Sequence, residues 1–218
     1  MTRRPTRVLT TVVAGTATAL LLAGCGGSDG GAKANDKIAG ADTDTGAPAS
    51  PTPSATAAGR PEIQLPPDLT LVFEDTKTGD PVKDAVLADS AERMRAVDAA
   101  ITGTDPKGEA LAYYNTGKAR EAALSWVAQF KDADATLTGQ ARYYDRKVTL
   151  RSGTSAALIF CADESKGFSK DKKTQKIAKT PVTKNSYVLY NTRLEKNSDG
   201  VWQTSQIIST RGAAQCQP

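Results

Sequence analysis

The chain has 218 residues, with 28 Lys and Arg against 24 Asp and Glu, 6% aromatic residues and no histidine. The missing histidine excludes imidazole general-base catalysis and imidazole metal ligation. The formal charge of +4 overstates the basic character. Arg3, Arg4 and Arg7 lie in residues 1–24 with no acid, and the remainder carries 25 basic and 24 acidic residues, so the global basic footprint of a nucleic-acid binder is absent.

The first element is a charged start followed by "VLTTVVAGTATALLLA", an apolar stretch of 16 residues over 8–23. A bilayer span needs about 20 residues, so this reads as a secretory signal over 1–24. It ends in Leu22-Ala23-Gly24-Cys25, which resembles the lipobox of bacterial lipoproteins. The resemblance implies that Cys25 takes a diacylglyceryl thioether, that cleavage follows Gly24, and that the chain is held on the outer face of the cell membrane, towards the wall. A thiol suits lipid transfer as a nucleophile, and two or more acyl chains give stable anchoring. The alternative is an ordinary secreted protein with a stray cysteine. Arg3-Arg4 leaves twin-arginine export open beside the general secretory route, although Pro5 and Thr6 do not fit it.

Residues 25–60 form the lipidated N-terminus and a Gly/Ala/Pro/Thr-rich tether, with Ile38 its one large apolar side chain. That composition cannot offset its chain entropy, and a disordered linker reaching roughly 30–35 Å is expected. "ASPTPSAT" is a possible site for O-linked sugar or an unmodified spacer.

From residue 61 the composition becomes that of a folded domain, running to 218. "LTLVFED" (69–75) reads as a strand bounded by Pro66-Pro67 and Thr78-Gly79-Asp80-Pro81. Residues 82–102 read as an amphipathic helix with Leu87, Ala91, Met94 and Ile101 on one side, Gly103 as its stop, and its carboxylates and arginines as a solvated face. A second helical region covers 109–130, broken at Thr116-Gly117, with Ala119, Ala123, Trp126, Val127 and Phe130 as core. Strands are expected over 142–152, 154–165, 185–196 and 200–211, with Asp199-Gly200 a tight-turn signal. Helices first and an antiparallel sheet after them give an α+β domain with helices on one face of the sheet.

"YYNTGKAREAAL", "LTGQARYYDRKVTL", "ALIFCADESKG" and "DGVWQTSQIISTRGAAQC" resemble actinobacterial secreted lipoproteins with an NTF2-like (cystatin-like) domain, a family of unknown function. The resemblance covers roughly residues 82–218. It implies helices packed on a curved antiparallel sheet that forms a cone, and a cavity within that cone. Isomerases of this kind use buried carboxylates with a tyrosine donor. Tyr114, Tyr144 and Asp163 are the candidates for such a pocket, with Tyr113, Tyr143 and Asp145 of the same residue types nearby.

Setting Cys25 aside for lipid leaves Cys161 and Cys216, an even pair on the oxidising side of a membrane, and a disulfide is expected. Residues 166–184, "KGFSKDKKTQKIAKTPVTK", hold seven lysines and one acid and read as an exposed connection. Lys166, Lys170, Lys172, Lys173 and Lys176 either keep sheet edges solvated or contact an anionic envelope polymer, lipid or protein. No phosphate-cradling glycine loop, no Gly-x-Ser-x-Gly and no zinc spacing occurs, so no metal or cofactor is expected. The leading expectation is a membrane-anchored, non-catalytic domain that binds an envelope partner or small molecule. The alternative is an enzyme of isomerase or dehydratase type working in the cone. Oligomeric state is left open.

Overall fold

A computed structural model describes residues 59–218. The signal segment, Cys25 and residues 26–58 of the tether lie outside the described residues.

Strand β1 (Leu69–Phe73) leads through a turn to helix α1 (Pro81–Thr102). The ends of α1 follow from its sequence. Asp80 accepts hydrogen bonds from the Val82 and Lys83 amides, Pro81 fits the first turn, where an amide would have no helical partner, and Gly103 closes the helix at φ 86°. Helices α2 (Glu109–Tyr114) and α3 (Gly117–Asp132) follow. The break between them falls at the expected Thr116-Gly117, with Gly117 at φ 49°. Five strands complete the chain: β2 (Ala135–Leu150), β3 (Ser155–Asp171), the two-residue β4 (Ile177–Ala178), β5 (Tyr187–Lys196) and β6 (Trp202–Arg211).

The sheet runs in the order β1-β2-β3-β5-β6, with β4 paired to β3. The fold is α+β, with helices packed on one face of a curved sheet. Strands β2, β3, β5 and β6 are antiparallel neighbours. One correction concerns the edge: β1 joins β2 in parallel, so the sheet is mixed. Two register shifts interrupt the β2–β3 ladder, at Gln140/Arg142 and Tyr144/Lys147. Such bulges bend and twist a strand pair, which suits a sheet that wraps helices. Gly139 sits beside the first at φ 94°, and a Cβ there would collide with the Lys166 carbonyl. This glycine is needed for close backbone approach.

The long β2–β3 pair corrects two other expectations. β2 begins at Ala135, ahead of Gly139, and pairs through Ala135–Gln140 with residues 166–171. Lys166 and Lys170 therefore belong to a strand, and the exposed connection starts only after Asp171.

Alternation along the strands sorts the side chains. Phe160, Ala162, Val188 and Leu194 face the helices and pack with Val86, Leu87, Met94 and Trp202 in the main core. Smaller clusters sit under α2, around Tyr114 and Val201, and between α1 and α3, around Val97, Ile101 and Ala123. The supposed solvated face of α1 is largely covered. Asp89 is 1% exposed and Arg93 6% exposed, because the sheet, α2 and α3 together surround most of the helix. Asp89 accepts a 2.8 Å hydrogen bond from the Trp202 amide and an ion pair from Arg60. A buried carboxylate needs such partners. Trp126 departs in the other direction: it is 42% exposed rather than core.

Cys161 and Cys216 form the expected disulfide, with Cα atoms 5.4 Å apart. Cys161 points to the outer face of the sheet, so the bond ties the C-terminal segment across that face.

Candidate functional site: a recess between two helices and the sheet

A recess of about 480 Å³ opens between α1, α3 and the inner face of the sheet. Its apolar walls include Leu69, Val97, Trp126, Phe130, Leu137 and Phe168. Its charged and phenolic residues come from four places: Arg93 and Asp98 from α1, Tyr143 from β2, Glu164 from β3, and Tyr190 and Arg211 from the β5–β6 pair. An apolar pocket with a few convergent polar groups is the usual form of a small-molecule site.

Helical geometry places the α1 contribution. Arg93, Met94, Val97 and Asp98 fall on one stripe one turn long. Arg93 is held from behind, since its Nε donates a 2.8 Å bond to Asn115 Oδ1 and its Nη1 lies 3.1 Å from the Met94 sulfur. Asn115 is itself fixed, donating from its side chain to the Leu111 carbonyl at 2.9 Å. Burial pushes the Arg93 pKa down from its ordinary value, with Tyr190, Tyr143 and Asp98 opposing.

Asp98 has no ion pair and no hydrogen bond from its side chain among the described residues. It is half-buried, and it lines the recess. Burial pushes its carboxyl up to about 7; the Glu164 charge adds to the rise, and Arg93 opposes it. Glu164 is engaged: it accepts from Arg211 at 2.7 Å and from the Tyr190 hydroxyl at 3.3 Å. Burial also raises Tyr190 and Tyr143, the latter well above the usual tyrosine value. Tyr143 is 3% exposed, and its hydroxyl has no hydrogen-bond partner among the described residues. Its ring stacks on Phe73 at 4.8 Å and meets Phe160 edge-on. At neutral pH the site therefore offers neutral phenols, one guanidinium with a spare edge, and a carboxyl near its midpoint.

None of the three candidates Tyr114, Tyr144 and Asp163 lines this recess. Tyr114 ends α2, is 1% exposed and packs with Ala96 and Val201, edge-on to Tyr113. Tyr144 lies on the outer face, under the Arg142 guanidinium, and donates to the Cys216 carbonyl. Asp163 sits with Arg142, Ser165 and Lys166 at a dent of only about 60 Å³. Strand parity explains the miss. Tyr143 pairs with Ala162 and faces inward, whereas Tyr144 pairs with Cys161 and faces out. The same parity turns Glu164 inward and Asp163 outward.

The five lysines do not converge. Lys170 pairs with Asp68 at 2.6 Å and Lys173 with Asp134 at 2.8 Å, while Lys166, Lys172 and Lys176 are exposed. Among the described residues no group of three or more His, Cys, Asp or Glu is arranged to hold a metal ion, and no helix is long and apolar enough to cross a membrane.

No protein-family model matches the chain, and no curated protein matches it in sequence. Solved structures similar to it include a ketosteroid isomerase-like protein from Erwinia carotovora atroseptica, at 14% identity over 62% of this chain and 98% of that one, TM-score 0.40. A hexachlorocyclohexane dehydrochlorinase from Novosphingobium barchaimii is 12% identical over 60% and 88%, TM-score 0.41. The protein Aln2 from a Streptomyces species is 12% identical over 62% and 94%, TM-score 0.42. Likeness at this level says nothing about chemistry, which rests here on the recess itself.

Proposed function

We propose that the chain is a lipid-anchored extracytoplasmic protein whose domain holds a small, largely apolar molecule in the recess. The observation that carries the binding role is the combination of about 480 Å³ of space, apolar walls and polar side chains left without partners. Polar groups that open onto a recess without a protein partner are available to a ligand. A ligand offering one polar head and an apolar body would satisfy both parts of the site. The anchor is supported by Leu22-Ala23-Gly24-Cys25 and the charged, apolar stretch before it.

Two experiments test the proposal. Trp126 lines the recess, so a bound aromatic molecule alters its fluorescence in a saturable way; a series of small apolar aromatics that produces no saturable change removes the binding role. Cys25→Ala stops lipid attachment and releases the chain from the membrane fraction; protein that is still processed and retained removes the anchor.

A second reading is an enzyme of isomerase or dehydratase type. It is favoured by Asp98, whose carboxyl titrates near 7 and so suits proton transfer at neutral pH. Asp98 would take a proton from carbon, and Tyr143 would donate to the oxygen where charge develops. Solvent deuterium incorporated into a weak carbon acid by the wild type, and lost in Asp98→Asn, would support it. Equal incorporation by both proteins removes it.

A further inference from the structure

Arg93 is only 6% exposed, yet no carboxylate lies within salt-bridge distance of its guanidinium among the described residues. Its Nε and Nη1 are engaged by Asn115 and Met94, which leaves Nη2 as the spare edge. A buried cation normally carries a counter-charge. The Tyr143 hydroxyl, on a side chain that lines the recess, has no partner either among the described residues. Two independent donors, from α1 and β2, thus face the same space unanswered.

The charge balance sets the class of group that would answer them. Arg211 is neutralised by Glu164 at 2.7 Å, so it adds no net charge. Asp98 lines the same recess, and when ionised it would repel the second charge of a dianion such as a phosphate monoester. One unmatched cation fits one negative charge. A planar carboxylate also suits a guanidinium edge with a phenol beside it.

We infer that the recess selects a monocarboxylate with an apolar, aromatic or aliphatic body, its head group bound by Arg93 Nη2 and the Tyr143 hydroxyl with protonated Asp98 as a third donor. This rests on the binding role proposed above and names its ligand class. It also fixes a pH dependence. The charged and titratable groups around Asp98 are Arg93 on its own helix, Tyr143 on β2, Glu164 on β3, Tyr190 on β5 and Arg211 on β6. Of these, Asp98 is the one whose carboxyl is carried to about 7. An incoming anion favours its protonated form, so binding takes up a proton and weakens as pH rises above about 7.

The test uses the full chain in detergent and three probes with one apolar body: 2-naphthoate, 2-naphthamide and 2-(aminomethyl)naphthalene, titrated by calorimetry at pH 6 and pH 8. Naphthoate is expected to bind about tenfold tighter than the amide at pH 6, the scale of a charge-assisted hydrogen bond. Its affinity falls by about tenfold at pH 8, while the amide is unchanged. Asp98→Asn keeps the preference for naphthoate and loses the pH dependence. Arg93→Met abolishes the preference, and if that variant does not fold, the pH comparison on the wild type decides alone. Equal binding of naphthoate and amide at both pH values, or preference for the amine, overturns the carboxylate assignment and leaves the binding role standing. Failure of all three probes to bind overturns both.

Discussion

Asp98→Asn should make the protein more stable above pH 7, although it removes a charge from a charged helix. The folded protein holds the Asp98 carboxyl near 7, against an ordinary carboxylate value of 3.8 in the unfolded chain. Between those values the folded state binds a proton that the unfolded state has released, so stability falls as pH rises, by about 1.4 kcal/mol per unit. The loss is complete above the folded value and amounts to about 4 kcal/mol at most. The asparagine variant lacks this dependence. Urea unfolding followed by tryptophan fluorescence at pH 5, 6, 7 and 8 measures it. The variant is expected to be about 1.5 kcal/mol more stable than wild type at pH 5 and about 4 kcal/mol more stable at pH 8, where the wild type carries the full cost of a desolvated, unpaired carboxylate. A variant no more stable than wild type at pH 8, with a parallel pH profile, would refute the placement of Asp98 in a desolvated site without a partner.

Three further outcomes follow from the same structure. Replacing both Cys161 and Cys216 by serine opens a loop closed over a separation of 55 residues and should cost about 4 kcal/mol in the chain-entropy account, read as a lower denaturant midpoint; a loss under about 1 kcal/mol would mean that the C-terminal segment is held without the bond. Gly139→Ala drives a Cβ into the Lys166 carbonyl and should cost about 2 kcal/mol or more in thermal unfolding; a neutral substitution would contradict the observed close approach of β2 and β3. Arg60→Met strands the buried Asp89 and should cost about 3 kcal/mol, whereas a surface role for Arg60 predicts no measurable change in the same assay.

The sequence carried the order of elements because local chemistry decides it. Asp80-Pro81 and Gly103 bound α1, Thr116-Gly117 separates α2 from α3, and Asp199-Gly200 turns β5 into β6. What it hid came from long-range pairing. Gly139 and the lysines of 166–170 look like breaks in a strand, yet each strand supplies the partner that makes the other extended. The parallel edge contributed by β1 has no local signature at all.

The site was hidden in the same way. Arg93 and Asp98 look like solvent-facing charges until α2, α3 and the sheet cover the helix. Parity offered one usable signal: once Phe160 is taken as core, alternation brings Glu164 inward and sends Cys161 and Asp163 out. The ladder then selects Tyr143 over Tyr144. On β5 the same parity puts Tyr190 with Val188 and Leu194, whereas Arg211 lies beyond the register shift of the β5–β6 ladder, which no local pattern shows.

The binding role and its ligand class meet most directly in a crystal structure of the protein with 2-naphthoate. It should show the probe between α1, α3 and the sheet, with its carboxylate within hydrogen-bond distance of Arg93 Nη2 and the Tyr143 hydroxyl. A probe bound elsewhere beside an empty recess, or lying in the recess with its carboxylate turned towards solvent, would contradict it.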